Sequence, residues 1–168
     1  MVCTRRALGV LMVLTMACGG GNPAGPDGSS ASGSGTSNFG TLTAVIDGVA
    51  YTGVINSATN TNGVLRIASN SADWTRSVAF AAPAAVGTVS VFLGSAISFG
   101  VMTTTGSTVI GSWAAAGQSG SGALTITSLT SSGASGTFSF SAPPAPAGSG
   151  GQATGTKVVT NGSFTARF

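Results

Sequence analysis

"TLTAVIDGVAYTG", Thr41 to Gly53, sets Leu42, Ala44 and Ile46 at alternate positions and closes the run with Asp47-Gly48. Successive residues of a strand point to opposite faces, so this alternation describes a β-strand with one side turned to a core. Asp-Gly supplies the positive-φ pair that a two-residue hairpin prefers, and it sends the chain back as an antiparallel neighbour.

The same grammar recurs downstream. Leu65 and Ile67 share a face in "GVLRIAS", as do Val78, Phe80 and Ala82 in "SVAFAA" and Ile97, Phe99 and Val101 in "ISFGVMT". Phe138 and Phe140 alternate in "GTFSFSA", and Phe164, Ala166 and Phe168 in "SFTARF". These side chains, with Trp113 in "VIGSWAAAG", are the expected core. Asn62-Gly63 and Asn161-Gly162 read as two further hairpin turns, and the three prolines of "SAPPAPAGSGGQ", Ser141 to Gln152, as a long loop. No stretch carries a 3.6-residue period. The expected fold is all-β, an antiparallel up-and-down β-sandwich or flattened barrel of about 8–11 short strands. With so few lysines to blunt them, its edge strands must be covered or paired.

Residues 39–168 form this one domain, of about 130 residues, enough for a single core. Ahead of it, Arg5 and Arg6 precede the apolar run "ALGVLMVLTMA", Ala7 to Ala17, which at 11 residues is too short for a bilayer-spanning helix of about 20. Residues 1–17 therefore read as an export signal. Residues 18–38, "CGGGNPAGPDGSSASGSGTSN", have almost nothing apolar to bury and predict a flexible linker with a span of roughly 25 Å.

At the junction stands Cys18. "LTMAC", Leu14 to Cys18, is similar to a bacterial lipobox, with Thr15 where that pattern favours Leu. The resemblance implies a diacylglyceryl group on Cys18, cleavage on its amino side and a membrane partner reached through the lipid. Gly19 stands where an aspartate would signal inner-membrane retention, so the implied location is the bacterial envelope at the outer membrane, on its periplasmic or surface face. Plain secretion after cleavage at Ala17 is the alternative. The domain also resembles a group of uncharacterised bacterial lipoproteins with a small antiparallel β-domain. The resemblance lies in "LTAVIDGVAYTG", "GALTITSLTSSGASGTFSFSA" and "TGTKVVTNGSFTARF". It implies a fold and no activity.

Composition narrows the chemistry. Charged residues are 5% of the chain, against roughly a quarter in ordinary domains. Beyond the leader, four cations face three aspartates, a net charge of +1, which cannot neutralise the phosphates of a nucleic acid. Cys18 is then the only cysteine, so neither an internal disulfide nor a cysteine zinc site is expected. The chain has no His and no Glu. A histidine triad is ruled out, and an acid–base pair would have to come from Asp47 and Asp73. Asp47 belongs to a turn, Lys157 in "TKVVTNG" to a strand entering a hairpin, and "TNTNG", Thr59 to Gly63, to a turn rather than a calcium loop. No catalytic residue, metal or cofactor is expected.

Trp74, in "SADWTRS", is with its neighbours Asp73 and Arg76 the candidate contact site for a ligand or partner. Such a Trp either covers one end of the sheet or stands exposed, where it could stack on a sugar or meet a protein. The expected function is a non-catalytic binding or structural module in the envelope, with an envelope protein or a glycan as partner. The alternative is a lipocalin-like carrier of a small apolar ligand. A carrier needs a cavity of several hundred Å³, whereas a packed module has its phenylalanines meeting in the middle.

Overall fold

A computed structural model describes residues 38–146 and 152–168. The expected signal peptide over 1–17, Cys18, the expected linker up to residue 37 and residues 147–151 of the proline-containing segment lie outside the described residues. Ten strands follow in chain order: β1 (Gly40–Ile46), β2 (Val49–Thr61), β3 (Val64–Ser71), β4 (Arg76–Pro83), β5 (Gly87–Ser90), β6 (Ser98–Thr105), β7 (Thr108–Ala116), β8 (Ser121–Thr130), β9 (Gly133–Ala142) and β10 (Lys157–Arg167). They form one antiparallel sheet in the order β5-β8-β9-β10-β1-β2-β3-β4-β6-β7. The expected all-β antiparallel architecture is present, as a sheet curled on itself. Most neighbours in space are neighbours in sequence; the exceptions are β10 beside β1, β4 beside β6, and β5, which crosses over to pair with β8.

The turn residues act as their backbone chemistry requires, with one correction. Asp47 and Gly48 (φ 49° and 81°) join Ile46 to its partner Val49, and Asn62 and Gly63 (φ 52° and 72°) join Thr61 to Val64. Asn161-Gly162 makes no hairpin. Both sides of it continue β10, and the register with β9 and with β1 slips there, so the pair is a β-bulge. Asn161 (φ 51°) takes the same left-handed conformation it would have in a turn. What differs is that β9 and β1 hold the flanking segments on both sides, so the chain cannot fold back. Further register slips in β2, β7 and β8 add local bends, which let a sheet of this width curl.

Curling brings β4 and β6 over β9 and β10, and the expected core residues meet there. Phe99 stacks on Phe140 with centroids 4.6 Å apart, Phe80 meets Phe138 at 5.7 Å, and Phe80 packs edge-on to Phe164 at 5.1 Å. A Cβ on Gly162 would lie 2.5 Å from the Phe138 ring, so the bulge glycine leaves the room that ring occupies. Leu42, Leu65, Val78, Ile97 and Trp113 are buried as expected. The outer face carries hydroxyl pairs between strands, Thr43 with Ser163 at 2.9 Å and Thr88 with Thr125 at 2.8 Å.

The edge of β7 is covered by the segment expected to be only a loop. Ala114 N–H donates to Pro143 O at 3.0 Å, Ala145 N–H to Ser112 O at 2.9 Å and Gln152 N–H to Ile110 O at 3.2 Å. Proline lacks the donor a strand interior needs, yet its carbonyl still accepts, so a proline-rich chain can satisfy an edge. Ser141 and Ala142 belong to β9, so that connection starts later than expected. The other edge strand, β5, is kept to four residues. The returning chain is clasped at Lys157, whose Nζ donates to Asp47 Oδ2 at 2.6 Å and sits 4.9 Å from the Trp113 ring centroid. Trp113 Nε1 donates to Gly155 O at 3.0 Å. The Lys157 ammonium and the Val158 N–H hold the Asp47 carboxyl below its ordinary value.

Candidate functional site

The turn between β3 and β4 is built from polar contacts that leave a tryptophan outside. Trp74 N–H closes the turn on Ser71 O at 2.9 Å, while Thr104 on β6 donates its hydroxyl to Trp74 O and its N–H to Thr75 O at 2.8 Å. Held this way, Trp74 has φ of 59°, a left-handed conformation that costs a side chain of this kind about 1–2 kcal/mol. Trp74 is 55% exposed. Of the two placements expected for Trp74, the structure has the exposed one and not burial over the end of the sheet.

Trp74 also lines a groove of about 330 Å³ on the outer face, together with Asn38, Val54, Asn56, Asn70 and Ser71. Val54 and Asn70 are paired across β2 and β3 and form part of its lining. Asn56 is the extra residue of the β2 bulge, between the pairs Ile55–Ser69 and Ser57–Ala68. A bulge breaks the two-residue alternation and re-aims a side chain, which is how an asparagine reaches the groove from mid-strand. Asn56 Oδ1 is buried with no hydrogen-bond partner among the described residues. Native interiors seldom leave such an acceptor unpaired.

The structure brings only one of the three predicted contact residues to this groove. Asp73 is spent on the turn: its carboxylate accepts from the Ser71 hydroxyl and, at 3.2 Å and 2.9 Å, from the N–H and hydroxyl of Thr75. Arg76 turns to the inner side, its guanidinium 5.8 Å from the Tyr51 ring centroid. Tyr51 is buried with its hydroxyl 3.1 Å from both Ser69 O and Ser69 Oγ, and burial pushes its phenol above its ordinary value. The Asp73 carboxylate and the Arg76 backbone, which exchanges hydrogen bonds with the Ser71 hydroxyl, therefore brace the turn. Asn38, Asn56 and Asn70 carried no expectation from sequence. The signal for two of them was weak but present, since asparagine is disfavoured inside strands and Asn56 and Asn70 both lie there.

Comparison of the chain with protein-family models, with curated proteins and with solved structures finds no match.

A second depression, of about 380 Å³, crosses β8, β9 and β10 over the Asn161-Gly162 bulge and is lined by Thr125, Thr137, Ser139 and Ser163. It offers hydroxyls and no exposed aromatic face, so the groove under Trp74 is the better candidate.

Acid should report on the Trp74 turn. The Ser71 hydroxyl first, and then the N–H and hydroxyl of Thr75, lower the Asp73 carboxyl from 3.8 to about 2. A carboxylate depressed in the fold stabilises it above its unfolded value, and that contribution is lost as pH falls through the folded value. Trp74 emission is expected to hold steady through pH 4 and to change with a midpoint near 2. Asp73→Asn should remove the step. A midpoint at the ordinary 3.8 in an acid titration followed by fluorescence would show that these hydrogen bonds do not form.

Proposed function

We propose that this chain is an envelope lipoprotein, tethered through a lipid on Cys18, that acts as a non-catalytic binding module with the groove under Trp74 as its contact surface. The observation that carries this function is the exposed Trp74, held in a left-handed backbone over a concave, amide-lined surface. Backbone strain in a compact domain concentrates at sites of function, and an exposed indole beside hydrogen-bonding groups is a typical anchor for a partner. Absence of catalysis is supported by how the acidic groups are employed: Asp47 pairs with Lys157 and Asp73 with Ser71 and Thr75. The packed phenylalanines occupy the space that a lipocalin-like carrier would keep for its ligand, which favours the module over that alternative.

The test is capture by delipidated envelope material, with the full-length protein in detergent so that its acyl chains have no bilayer to enter. Trp74→Ala is expected to weaken capture by roughly thirtyfold, the scale of an aromatic anchor worth about 2 kcal/mol. Equal capture of the variant and the wild type would remove the groove from the function.

A further inference from the structure

The chemistry of the groove also specifies its ligand, on the premise of the binding function proposed above. None of the described residues lining it is charged: an indole, three asparagines, a serine, an alanine and a valine surround it. The nearby Asp73 and Arg76 are committed to the turn and to Tyr51. A phosphate or carboxylate would find no cation among these residues, and the one anion nearby, Asp73, lies outside the lining with both carboxylate oxygens already accepting from Ser71 and Thr75. An apolar ligand would leave Asn38, Asn56 and Asn70 unsatisfied where it covered them, at a cost for each amide. A ligand that fits must present an apolar face to the indole and neutral hydroxyls to the amides.

A pyranose ring has that shape. Its axial C–H face can lie flat on the Trp74 indole, as apolar groups do on aromatic faces, while its rim hydroxyls both donate and accept. Each asparagine amide offers an acceptor and two donors, which suits a pair of adjacent hydroxyls. Asn56 supplies the independent sign of a missing donor. Its Oδ1 is buried and unpaired among the described residues, and the broad χ2 range of asparagine lets the amide turn between that position and the groove. We infer that the groove binds a neutral saccharide, with Trp74 as the stacking platform and Asn56 as an acceptor for a sugar hydroxyl.

The experiment offers the full-length protein, in detergent, three lots of delipidated envelope material: untreated, oxidised with periodate to cleave vicinal diols, and digested with protease. Capture is expected to survive the protease, to fall at least tenfold after periodate and to be indifferent to salt. Asn56→Ala should weaken capture about tenfold with a Tm no lower than wild type, because it deletes an acceptor the free protein leaves unpaired. Capture that still needs Trp74 but survives periodate and is lost to protease would overturn the saccharide while leaving the binding function standing. Capture that falls steeply with salt would overturn neutrality in the same way. Capture indifferent to Trp74, or none from any lot, would overturn both.

Discussion

Phe138→Ala is expected to destabilise the domain by about 3–5 kcal/mol, a large share of the ~5–15 kcal/mol that holds a domain of this kind together. The reason is where the ring sits. Phe138 lies 5.7 Å from Phe80, 6.4 Å from Phe99 and 6.2 Å from Phe140, so it joins the two halves of the curled sheet. Deleting it forfeits the transfer of one ring and leaves a cavity that strands on both sides cannot readily close. Phe138→Leu, which keeps most of the volume, should lose less than half as much. Urea unfolding with an unchanged m-value would measure both. A loss below about 1 kcal/mol for Phe138→Ala would mean that the interior already tolerates empty space, and the carrier alternative would regain its footing.

Cys18→Ala is expected to empty the membrane fraction of this protein. The variant can take no lipid at that position, and Thr15 and Ala17 still fit the small-residue pattern of ordinary signal cleavage, so it should leave as a secreted protein. The size of the effect follows from anchoring energetics: one acyl chain binds a membrane only marginally, whereas two or three on one residue hold it stably. The checks are fractionation and the mass of the Cys18 peptide, which should carry a lipid increment in the wild type alone. Membrane retention that is unchanged in the variant would sink the anchor.

Much of the fold was legible because a half-buried sheet writes itself into sequence with period two. Leu42, Ala44 and Ile46 had to share a face once the segment was a strand, and Asp47-Gly48 and Asn62-Gly63 turned where positive φ was needed. Asn161-Gly162 shows the limit of that grammar. The same dipeptide in the same left-handed conformation serves a turn or a bulge, and only the strands on either side of it choose. The three prolines of Pro143, Pro144 and Pro146 likewise excluded a strand interior correctly, but could not say that the segment would cover the edge of β7.

The site was legible only at one residue. Trp74 stood out as an aromatic in a polar stretch, while its neighbours Asp73 and Arg76 drew attention through charge and turned out to brace the turn. Asn38, Asn56 and Asn70 come from the segment just before β1, a bulge in β2 and the end of β3, and nothing local links them. By itself the sequence determined an antiparallel β-domain, its core face, two of its turns and a chemistry poor in acids and bases, because alternation, turn dihedrals and composition are local properties. Tertiary structure alone decided that β5 pairs with β8, that the phenylalanines of β4, β6, β9 and β10 meet, and that Trp74 overhangs three asparagines. Those outcomes depend on how far a sheet curls, and curl is the sum of many small twists and bulges that no single stretch of chain contains.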